Sequence, residues 1–274
     1  MPDQAMKYTY DQLAQMIDHS LLHPTLTDQE LEDGCRLAAH YRVASVCLKP
    51  YAVKRAVALL TGTDVKIGTV IGFPHGHSRT EVKRHETELA CEDGAMEIDM
   101  VINIGKALSG DWDYVERDIQ AVCDEAHRHG AKVKVIFEND YLTHGGAGLS
   151  GDDFKRRLCR ISERAGADWV KTSTGYGFVK GADGNYSYQG ATEHDLRLMR
   201  DACSPKVQVK AAGGVRDLDG LITVRDLGAT RCGATATAAM LDEYRRRAAA
   251  EKAGAATSGA AIPATGGHRR PFPI

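Results

Sequence analysis

The chain alternates short runs of β-branched residues with longer amphipathic stretches along most of its length. This alternation is typical of βα units, in which each strand of a parallel sheet is followed by a helix that covers it. The predicted strands are Met16–His19, Ala44–Leu48, Lys66–Gly72, Glu97–Asn103, Lys132–Phe137, Asp168–Thr172, Lys206–Lys210 and Thr230–Gly233. Eight such units in 274 residues predict a TIM barrel, an α/β fold in which eight parallel strands close into a cylinder.

Signals for helix ends stand between the predicted strands. Three of the clearest predicted helices are Thr27–Tyr41, Ser78–Glu92 and Asp111–His129. The first two begin with Thr or Ser three residues before Glu30 and Glu81, which is the spacing of a capping box. Glycines able to end helices in a left-handed conformation are Gly94, Gly130, Gly166 and Gly228. An open doubly wound sheet is the structural alternative, but no GxGxxG sequence follows the first strand.

Charge and composition argue against several classes of partner. The formal net charge is -2 and the basic residues are dispersed, so we expect neither nucleic acid nor an anionic membrane as a partner. The apolar runs are too short to cross a bilayer, and Met1–Tyr10 lacks the apolar core of a signal peptide. Seven cysteines without CxxC metal spacing fit a reduced, cytoplasmic protein. A homo-oligomer is compatible with these features.

The composition changes once, near the C-terminus. Residues 1–250 have the mixture and length of a single TIM-barrel domain. From about Glu251 the chain turns to Ala, Gly, Ser, Thr and Pro, so we expect residues 251–274 to form a flexible tail outside the core. Phe178–Gln189 is a second irregularity, a polar segment with glycines inserted after the sixth predicted strand.

Three charged residues are expected to point into the barrel. Side chains alternate between the two faces of a strand, and the outer face of a barrel strand is covered by helices and should be apolar. The apolar residues expected to face outward are Ile98, Met100, Ile102, Val170, Val207 and Val209. This pattern places Asp99, Lys171 and Lys210 in the lumen, near the C-terminal strand ends where TIM barrels carry their active sites.

Two lysines in one lumen suit imine chemistry. Burial and a neighbouring positive charge both lower the pKa of a lysine, by up to about 3–5 units when it is fully buried. The neutral amine that results is the nucleophile from which imines form. Either lysine alone could be structural and pair with a carboxylate, but three perturbed groups that converge favour a catalytic site. Lys171, Lys210 and Asp99 are therefore the candidate catalytic residues.

Two glycine-containing turns predict an anion site. TIM barrels often bind phosphate with the loops after strands 7 and 8 and the N-terminus of a helix. Gly213 and Gly214 follow the seventh predicted strand, and Gly233 and Thr235 lie where the eighth ends and a helix opens. Glycine lets backbone N–H groups approach an anion, and Thr235 adds a hydroxyl donor. The alternative interpretation is two ordinary tight turns.

Other polar residues give weaker signals. The histidines at positions 75, 77, 127 and 129 form pairs two residues apart without a companion Cys or carboxylate at ligand spacing, so we expect no metal site. Cys47 ends the second predicted strand and is better explained as a small buried thiol. Asp18 and Glu138 could orient groups of the site, or they could be structural partners of buried cations.

Several motifs together resemble the deoxyribose-phosphate aldolase family of class I aldolases. Val170–Gly175, with the sequence VKTSTG, is similar to the segment of that family that carries the Schiff-base lysine. Val209–Arg216, VKAAGGVR, resembles its segment with the second lysine and the phosphate loop. The other similar stretches are Ile17–Leu22, Thr69–Pro74 and Glu97–Gly105. The resemblance covers roughly residues 10–245.

The resemblance implies a TIM-barrel enzyme that needs no metal or organic cofactor. Its reaction would be the reversible cleavage of 2-deoxy-D-ribose 5-phosphate to D-glyceraldehyde 3-phosphate and acetaldehyde. By motif position, Lys171 would form the imine, Lys210 would lower its pKa, and Asp99 would relay protons. Gly175 joins Gly213, Gly214, Gly233 and Thr235 as a candidate contact for the substrate or its phosphate.

The chain departs from the family pattern in three places. The strand-8 loop carries Thr235 and Ala236 where the family commonly has serines, the Phe178–Gln189 segment is long, and the last tyrosine is Tyr244 rather than one in the C-terminal tail. Two alternatives stay open, of which the altered loops favour the first and the retained Lys171, Lys210 and Asp99 argue against the second. One is a related class I aldolase for a different phosphorylated aldehyde or ketone, and the other is a non-catalytic barrel that binds a sugar phosphate.

Overall fold

A computed structural model describes residues 7–258 of the chain and shows a closed eight-stranded barrel in which every neighbouring pair of strands is parallel. The barrel strands, in chain order, are β1 (Ile17–Leu21), β2 (Ser45–Leu48), β3 (Lys66–Ile71), β4 (Glu97–Val101), β5 (Lys132–Ile136), β6 (Trp169–Lys171), β9 (Gln208–Ala212) and β10 (Ala229–Ala234). The strand β10 pairs with β1 and closes the cylinder. The predicted TIM barrel is therefore confirmed.

An antiparallel hairpin interrupts the βα order between β6 and the next helix. It consists of β7 (Val179–Lys180) and β8 (Tyr186–Ser187), within the segment that the sequence marked as an insertion. The seventh barrel strand also begins two residues later than predicted, at Gln208. Its first ladder bond runs from the Gln208 N–H to the Asp168 carbonyl, whereas the N–H groups of the two preceding residues bond within a turn at Ser204.

Helices cover the outside of the barrel, and most follow a strand. The α-helices are α1 (Tyr10–Ala14), α2 (Asp28–Tyr41), α3 (Val53–Leu60), α4 (Thr80–Glu92), α5 (Ile104–Leu108), α6 (Trp112–Arg128), α7 (Gly151–Arg164), α8 (Glu193–Ala202), α9 (Leu218–Asp226) and α10 (Thr237–Ser258). The end of α10 enters the segment expected to be a tail, and residues 259–274 of that segment lie outside the described residues. Within residues 7–258 no helix is long and apolar enough to span a membrane.

The predicted helix signals hold in most cases. Thr27 and Glu30 form the reciprocal capping box at the start of α2. The second capping box, Ser78 with Glu81, is wrong, because α4 begins one residue later with Arg79 in the N-cap position and no side-chain cap. The glycines at 94, 130, 166 and 228 all have φ between 75° and 105°, the left-handed conformation expected at helix ends.

The hydrophobic core lies between the outer faces of the strands and the helices. All six residues predicted to face outward belong to this buried cluster, namely Ile98, Met100, Ile102, Val170, Val207 and Val209. The strict alternation of the strands therefore turns the intervening positions into the lumen. Several of those positions carry charged side chains where a TIM barrel usually has branched apolar residues, namely Glu97, Asp99, Lys171 and Lys210.

Candidate active site

Asp99, Lys171 and Lys210 meet in the lumen. The ammonium nitrogens of Lys171 and Lys210 each lie 2.7 Å from Oδ2 of Asp99. The two lysines occupy paired positions on β6 and β9, which brings their side chains together, and all three side chains are at least 97% buried. The alternation of strand residues thus located this group from the sequence, although not its hydrogen bonds.

Lys134 of β5 reaches the same carboxylate from the other side. Its Nζ lies 2.8 Å from Oδ1 of Asp99 and 2.7 Å from Oε2 of Glu97. Asp99 and Lys134 are also register partners across β4 and β5. Lys134 was not among the residues predicted from the sequence, although the signal was present, because Val133 and Val135 on either side are outward and buried.

The charges continue toward the N-terminal end of the barrel. Asp18 of β1 lies 2.5 Å from Nζ of Lys210 and 2.5 Å from Nη1 of Arg231. Arg231 of β10 also forms a two-point ion pair with Glu97, with contacts of 2.7 and 2.9 Å. Asp18 is therefore a direct partner of one candidate catalytic lysine. Arg231, like Lys134, is a lumen residue that the sequence analysis missed.

The two candidate lysines differ in their surroundings. Burial lowers the pKa of Lys171 most strongly; Asp99 opposes this effect, and the charge of Lys210 adds to the lowering, so the pKa lies below the ordinary lysine value. Burial also acts on Lys210, but the carboxylates of Asp18 and Asp99 outweigh it and raise its pKa. Lys171 is thus the amine more easily freed of its proton, and Lys210 is held as a cation.

Asp99 is held as a carboxylate. Burial alone would raise its pKa, but the charges of Lys134, Lys171 and Lys210 outweigh burial and hold the pKa well below its usual range. A carboxylate in this state can accept a proton or a hydrogen bond during a reaction, but it carries no proton of its own at rest. Of the groups around Lys171, Asp99 is therefore an acceptor and Lys210 a donor.

A cavity of about 210 Å³ opens from Lys171 and Lys210 to the C-terminal face of the barrel. The five candidate substrate and phosphate contacts all line it, namely Gly175, Gly213, Gly214, Gly233 and Thr235. Gly213 and Gly214 have φ of 86° and 88°, a conformation that L side chains rarely adopt. The turn after β9 therefore requires glycine, and it exposes backbone to the cavity instead of side chains.

The inserted hairpin is fastened to the rim of this cavity. Asp140 accepts hydrogen bonds from the backbone N–H groups of Gln189 and Gly190, at 2.5 and 3.0 Å. The Gly190 backbone packs so closely on Gly213 that an added Cβ would lie 2.8 Å from the Gly213 carbonyl group. Tyr188, at the base of the hairpin, lines the cavity beside the glycine turn. The insertion thus extends the wall at the predicted phosphate end.

Glu138 shapes the loop that follows Lys171. It comes directly after β5 and Phe137, has φ of 59°, and is almost fully buried. Its carboxylate accepts from the Thr174 N–H at 3.2 Å and from the Thr174 hydroxyl. A non-glycine residue held in the left-handed region is strained, and such strain often occurs at functional sites. Glu138 therefore positions the loop that carries Thr174 and Gly175.

The histidine pairs and Cys47, which gave weaker signals in the sequence, take no part in the ion pairs around Lys171. His127 bonds to Asp168 at 2.9 Å on the outside of the barrel. In the part of the chain that the structure describes, no group of three or more His, Cys, Asp or Glu is placed to hold a metal ion. Cys47 does line the cavity, but burial raises the pKa of its thiol to about 11, which keeps it protonated near neutral pH.

Comparison with known proteins decides the family. A model of the DeoC/LacD family of aldolases matches residues 12–258. The chain belongs to this family. It is therefore an enzyme of the carbon–carbon lyase class, and the resemblance seen in the sequence motifs is confirmed.

Named relatives of this DeoC/LacD aldolase match most of its length. The deoxyribose-phosphate aldolase of Rhodopirellula baltica is 52% identical over 240 residues, which cover 88% of this chain and 92% of that protein. The enzyme of the same name from Thermococcus gammatolerans is 43% identical over 235 residues, 85% of this chain and 96% of the relative. A solved deoxyribose phosphate aldolase from Aeropyrum pernix, described as tetrameric, has a TM-score of 0.74 at 30% identity and covers 86% and 92% of the two chains.

Proposed function

We propose that this aldolase reversibly cleaves 2-deoxy-D-ribose 5-phosphate to D-glyceraldehyde 3-phosphate and acetaldehyde through a Schiff base on Lys171. The observation that carries the proposal is a buried lysine of lowered pKa at the floor of a cavity, beside a second lysine that stays charged. The names of the relatives support the substrate, since both curated relatives are deoxyribose-phosphate aldolases.

The first half of the reaction builds an electron sink. The neutral amine of Lys171 attacks the C1 aldehyde carbon of the open-chain sugar, and the carbinolamine loses water to give an iminium ion. The departing hydroxyl needs a proton, and Lys210 can supply one because its raised pKa keeps it protonated before the reaction. The Asp99 carboxylate, 2.7 Å from both lysines, accepts the proton that Lys171 releases on attack.

The second half breaks the C2–C3 bond. A base removes the proton of the C3 hydroxyl, the C3–O bond becomes a carbonyl, and the electrons of the C2–C3 bond move to the iminium nitrogen. This step releases glyceraldehyde 3-phosphate and leaves an enamine on Lys171. Protonation of C2 and attack by water then free acetaldehyde and the amine. Asp99 and Lys210 are the nearest charged groups that can move these protons.

The glycine turns would hold the phosphate. Gly214 lies exposed at the rim, so Gly214→Glu should bring a carboxylate against the anion and, because of its positive φ, strain the turn. We expect a large rise in KM for deoxyribose 5-phosphate and a much smaller change for unphosphorylated deoxyribose. Steady-state kinetics with both sugars is the measurement. Equal kcat/KM values of the unaltered enzyme for the two sugars would show that this turn does not bind the phosphate.

A related class I aldolase that acts on a different phosphorylated aldehyde or ketone is the second candidate. The observation in its favour is the hairpin, which places Tyr188 beside the glycine turn. Cleavage assayed on a panel of phosphorylated aldehydes and ketones, with the released aldehydes identified by mass spectrometry, separates the two. Selective turnover of deoxyribose 5-phosphate supports the first candidate. A barrel that only binds a sugar phosphate would turn over none of the panel, and it would gain nothing from a desolvated amine.

Metal independence should accompany imine chemistry, because the protonated imine supplies the positive charge that a metal supplies in other aldolases. Full activity is expected after dialysis against EDTA, measured by the same coupled assay. Activity lost on dialysis and restored by zinc would point to metal-assisted chemistry instead.

We further propose that the enzyme forms a homo-oligomer, because it is similar to the Aeropyrum pernix enzyme that is described as tetrameric. We also propose that it works in a reducing compartment, since all seven cysteines are free.

A further inference from the structure

Seven ionisable side chains form one continuous buried cluster in the lumen. Each member has a nitrogen–oxygen contact of less than 3 Å with at least one other. The lumen cluster consists of Asp18, Glu97, Asp99, Lys134, Lys171, Lys210 and Arg231. The proposed reaction uses three of these residues, which leaves Lys134 and Glu97, in particular, without a role.

The charges of the lumen cluster balance in only one of the two states of Lys171. The three carboxylates are held ionised by their cation partners. Lys134, Lys210 and Arg231 supply three matching cations, because their carboxylate partners raise their pKa values. With Lys171 neutral, the buried charges sum to zero, and a protonated Lys171 leaves one uncompensated positive charge. Uncompensated charge is strongly disfavoured in a buried site.

Three other titratable groups border the lumen cluster. The Cys47 thiol stays neutral because burial raises its pKa to about 11. Glu138 lies at the mouth and bonds to Thr174 rather than to a member of the cluster; burial raises its pKa, and that shift favours its neutral form. Lys66 lies 3.9 Å from Glu97 at the opposite end, where its half-exposed side chain is screened by water.

We propose that Lys134 and Glu97 are positioning residues that set the protonation state of Lys171 by fixing the net charge of the lumen cluster. This inference rests on the proposed function, in which neutral Lys171 is the nucleophile. Lys134 acts through Asp99: it holds Oδ1 of the carboxylate, while Lys171 and Lys210 share Oδ2. Glu97 has the opposite effect, because its carboxylate pairs with Lys134 and partly cancels the positive charge that Lys134 presents to Asp99.

Charge removal should therefore move the pKa of Lys171 in opposite directions. Lys134→Met leaves Asp99 with one cation fewer, so the excess negative charge favours a proton on Lys171 and raises its pKa. Glu97→Gln leaves an excess of positive charge and lowers the pKa of Lys171. The double variant removes one charge of each sign and restores the balance. Buried charges at a few ångströms commonly shift a pKa by roughly 1–3 units.

The experiment follows the free amine directly. The enzyme is incubated with acetaldehyde and cyanoborohydride over a pH series, and the rate of adduct formation on Lys171 is measured by peptide mass spectrometry. The midpoint should move to higher pH in Lys134→Met, to lower pH in Glu97→Gln, and back to within about half a unit of the parent in the double variant. The acid limb of kcat/KM for deoxyribose 5-phosphate should move with it.

Lys83→Met is the matched control. Lys83 is also fully buried, and it pairs with Asp118 at 2.6 Å, but it lies outside the lumen cluster. Its replacement should lower the melting temperature without moving the midpoint. A loss of packing alone cannot produce opposite shifts that cancel in the double variant. If Lys134→Met does not fold, Glu97→Gln and the double variant still decide the matter.

The outcomes separate the inference from the proposed function. Adducts on Lys171 with the same midpoint in every variant that folds would overturn the charge-balance inference and leave the Schiff base intact. Shifts of the same sign in the two single variants would also overturn it. No adduct on Lys171 at any pH would instead remove the proposed function on which the inference rests.

Discussion

Replacing Lys171 with Met should abolish aldol cleavage, with a loss of about 10⁴-fold or more in kcat, the scale expected when an enzyme loses its covalent nucleophile. The reason is chemical, because without an amine at the floor of the cavity no iminium ion can accept the electrons of the breaking bond. The fold should survive, since neutral Lys171 contributes one hydrogen bond to Asp99 and no fixed charge to the lumen. The coupled assay for glyceraldehyde 3-phosphate measures the loss.

Lys132→Met is a suitable control for this variant. Lys132 lies on the neighbouring strand but has a half-exposed side chain that pairs with Asp168 at 2.8 Å, away from the cavity. Its replacement should leave kcat and KM near their original values. Turnover by the Lys171 variant at more than a few per cent of the parent rate, with a native circular dichroism spectrum, would exclude Lys171 as the nucleophile.

Replacing Lys210 with Met should give the second-largest effect. Lys210 is held as a cation beside Lys171 in the resting enzyme, so its loss raises the pKa of Lys171 and leaves Asp18 and Asp99 with one cationic partner fewer. Activity at neutral pH should fall by up to about tenfold for each unit by which that pKa rises, and trapping should recover as the pH is raised. Breaking a buried pair should also lower the free energy of unfolding by about 3–5 kcal/mol.

The pH profile distinguishes the roles of the two lysines. An unchanged midpoint for trapping in the Lys210 variant would mean that burial alone tunes Lys171, and Lys210 would then act only as a proton donor. In that case kcat should fall at every pH by the same factor. Urea unfolding at the same pH provides the stability measurement and shows that both assays were made on folded protein.

The sequence predicted the barrel because its information is local. Each predicted strand overlaps an observed one, and the apolar alternation on either side of Asp99, Lys171 and Lys210 was sufficient to place these side chains in the lumen. The exact ends of the strands were predicted less accurately than their positions in the chain. The seventh strand began two residues later than expected because the turn at Ser204 takes the first backbone N–H groups.

The ion-pair partners and pKa values of the site could not be predicted from local sequence patterns. Which carboxylate pairs with which cation depends on the register of strands far apart in the sequence, such as Asp99 beside Lys134 and Lys171 beside Lys210. Arg231 and Asp18 are brought together only when the barrel closes between β10 and β1. The alternation rule could have placed these side chains in the lumen, but it carries no information on their distances or pKa values.

The inserted hairpin shows a different limit. The sequence marked Phe178–Gln189 as unusually long, but only the fold shows that its base is fastened by Asp140 and packed on Gly213. These contacts join residues 23 to 50 positions apart along the chain, so no local sequence pattern predicts them. For this reason the sequence alone did not predict that Tyr188 lines the cavity.

Covalent trapping identifies the residue that forms the Schiff base. The unaltered enzyme is treated with deoxyribose 5-phosphate or acetaldehyde and borohydride, digested, and analysed by peptide mass spectrometry. We predict a single reduced two-carbon adduct from acetaldehyde, located on Lys171, together with loss of activity in proportion to labelling. An adduct on Lys210, or full activity without any adduct on Lys171, would show that Lys171 is not the nucleophile.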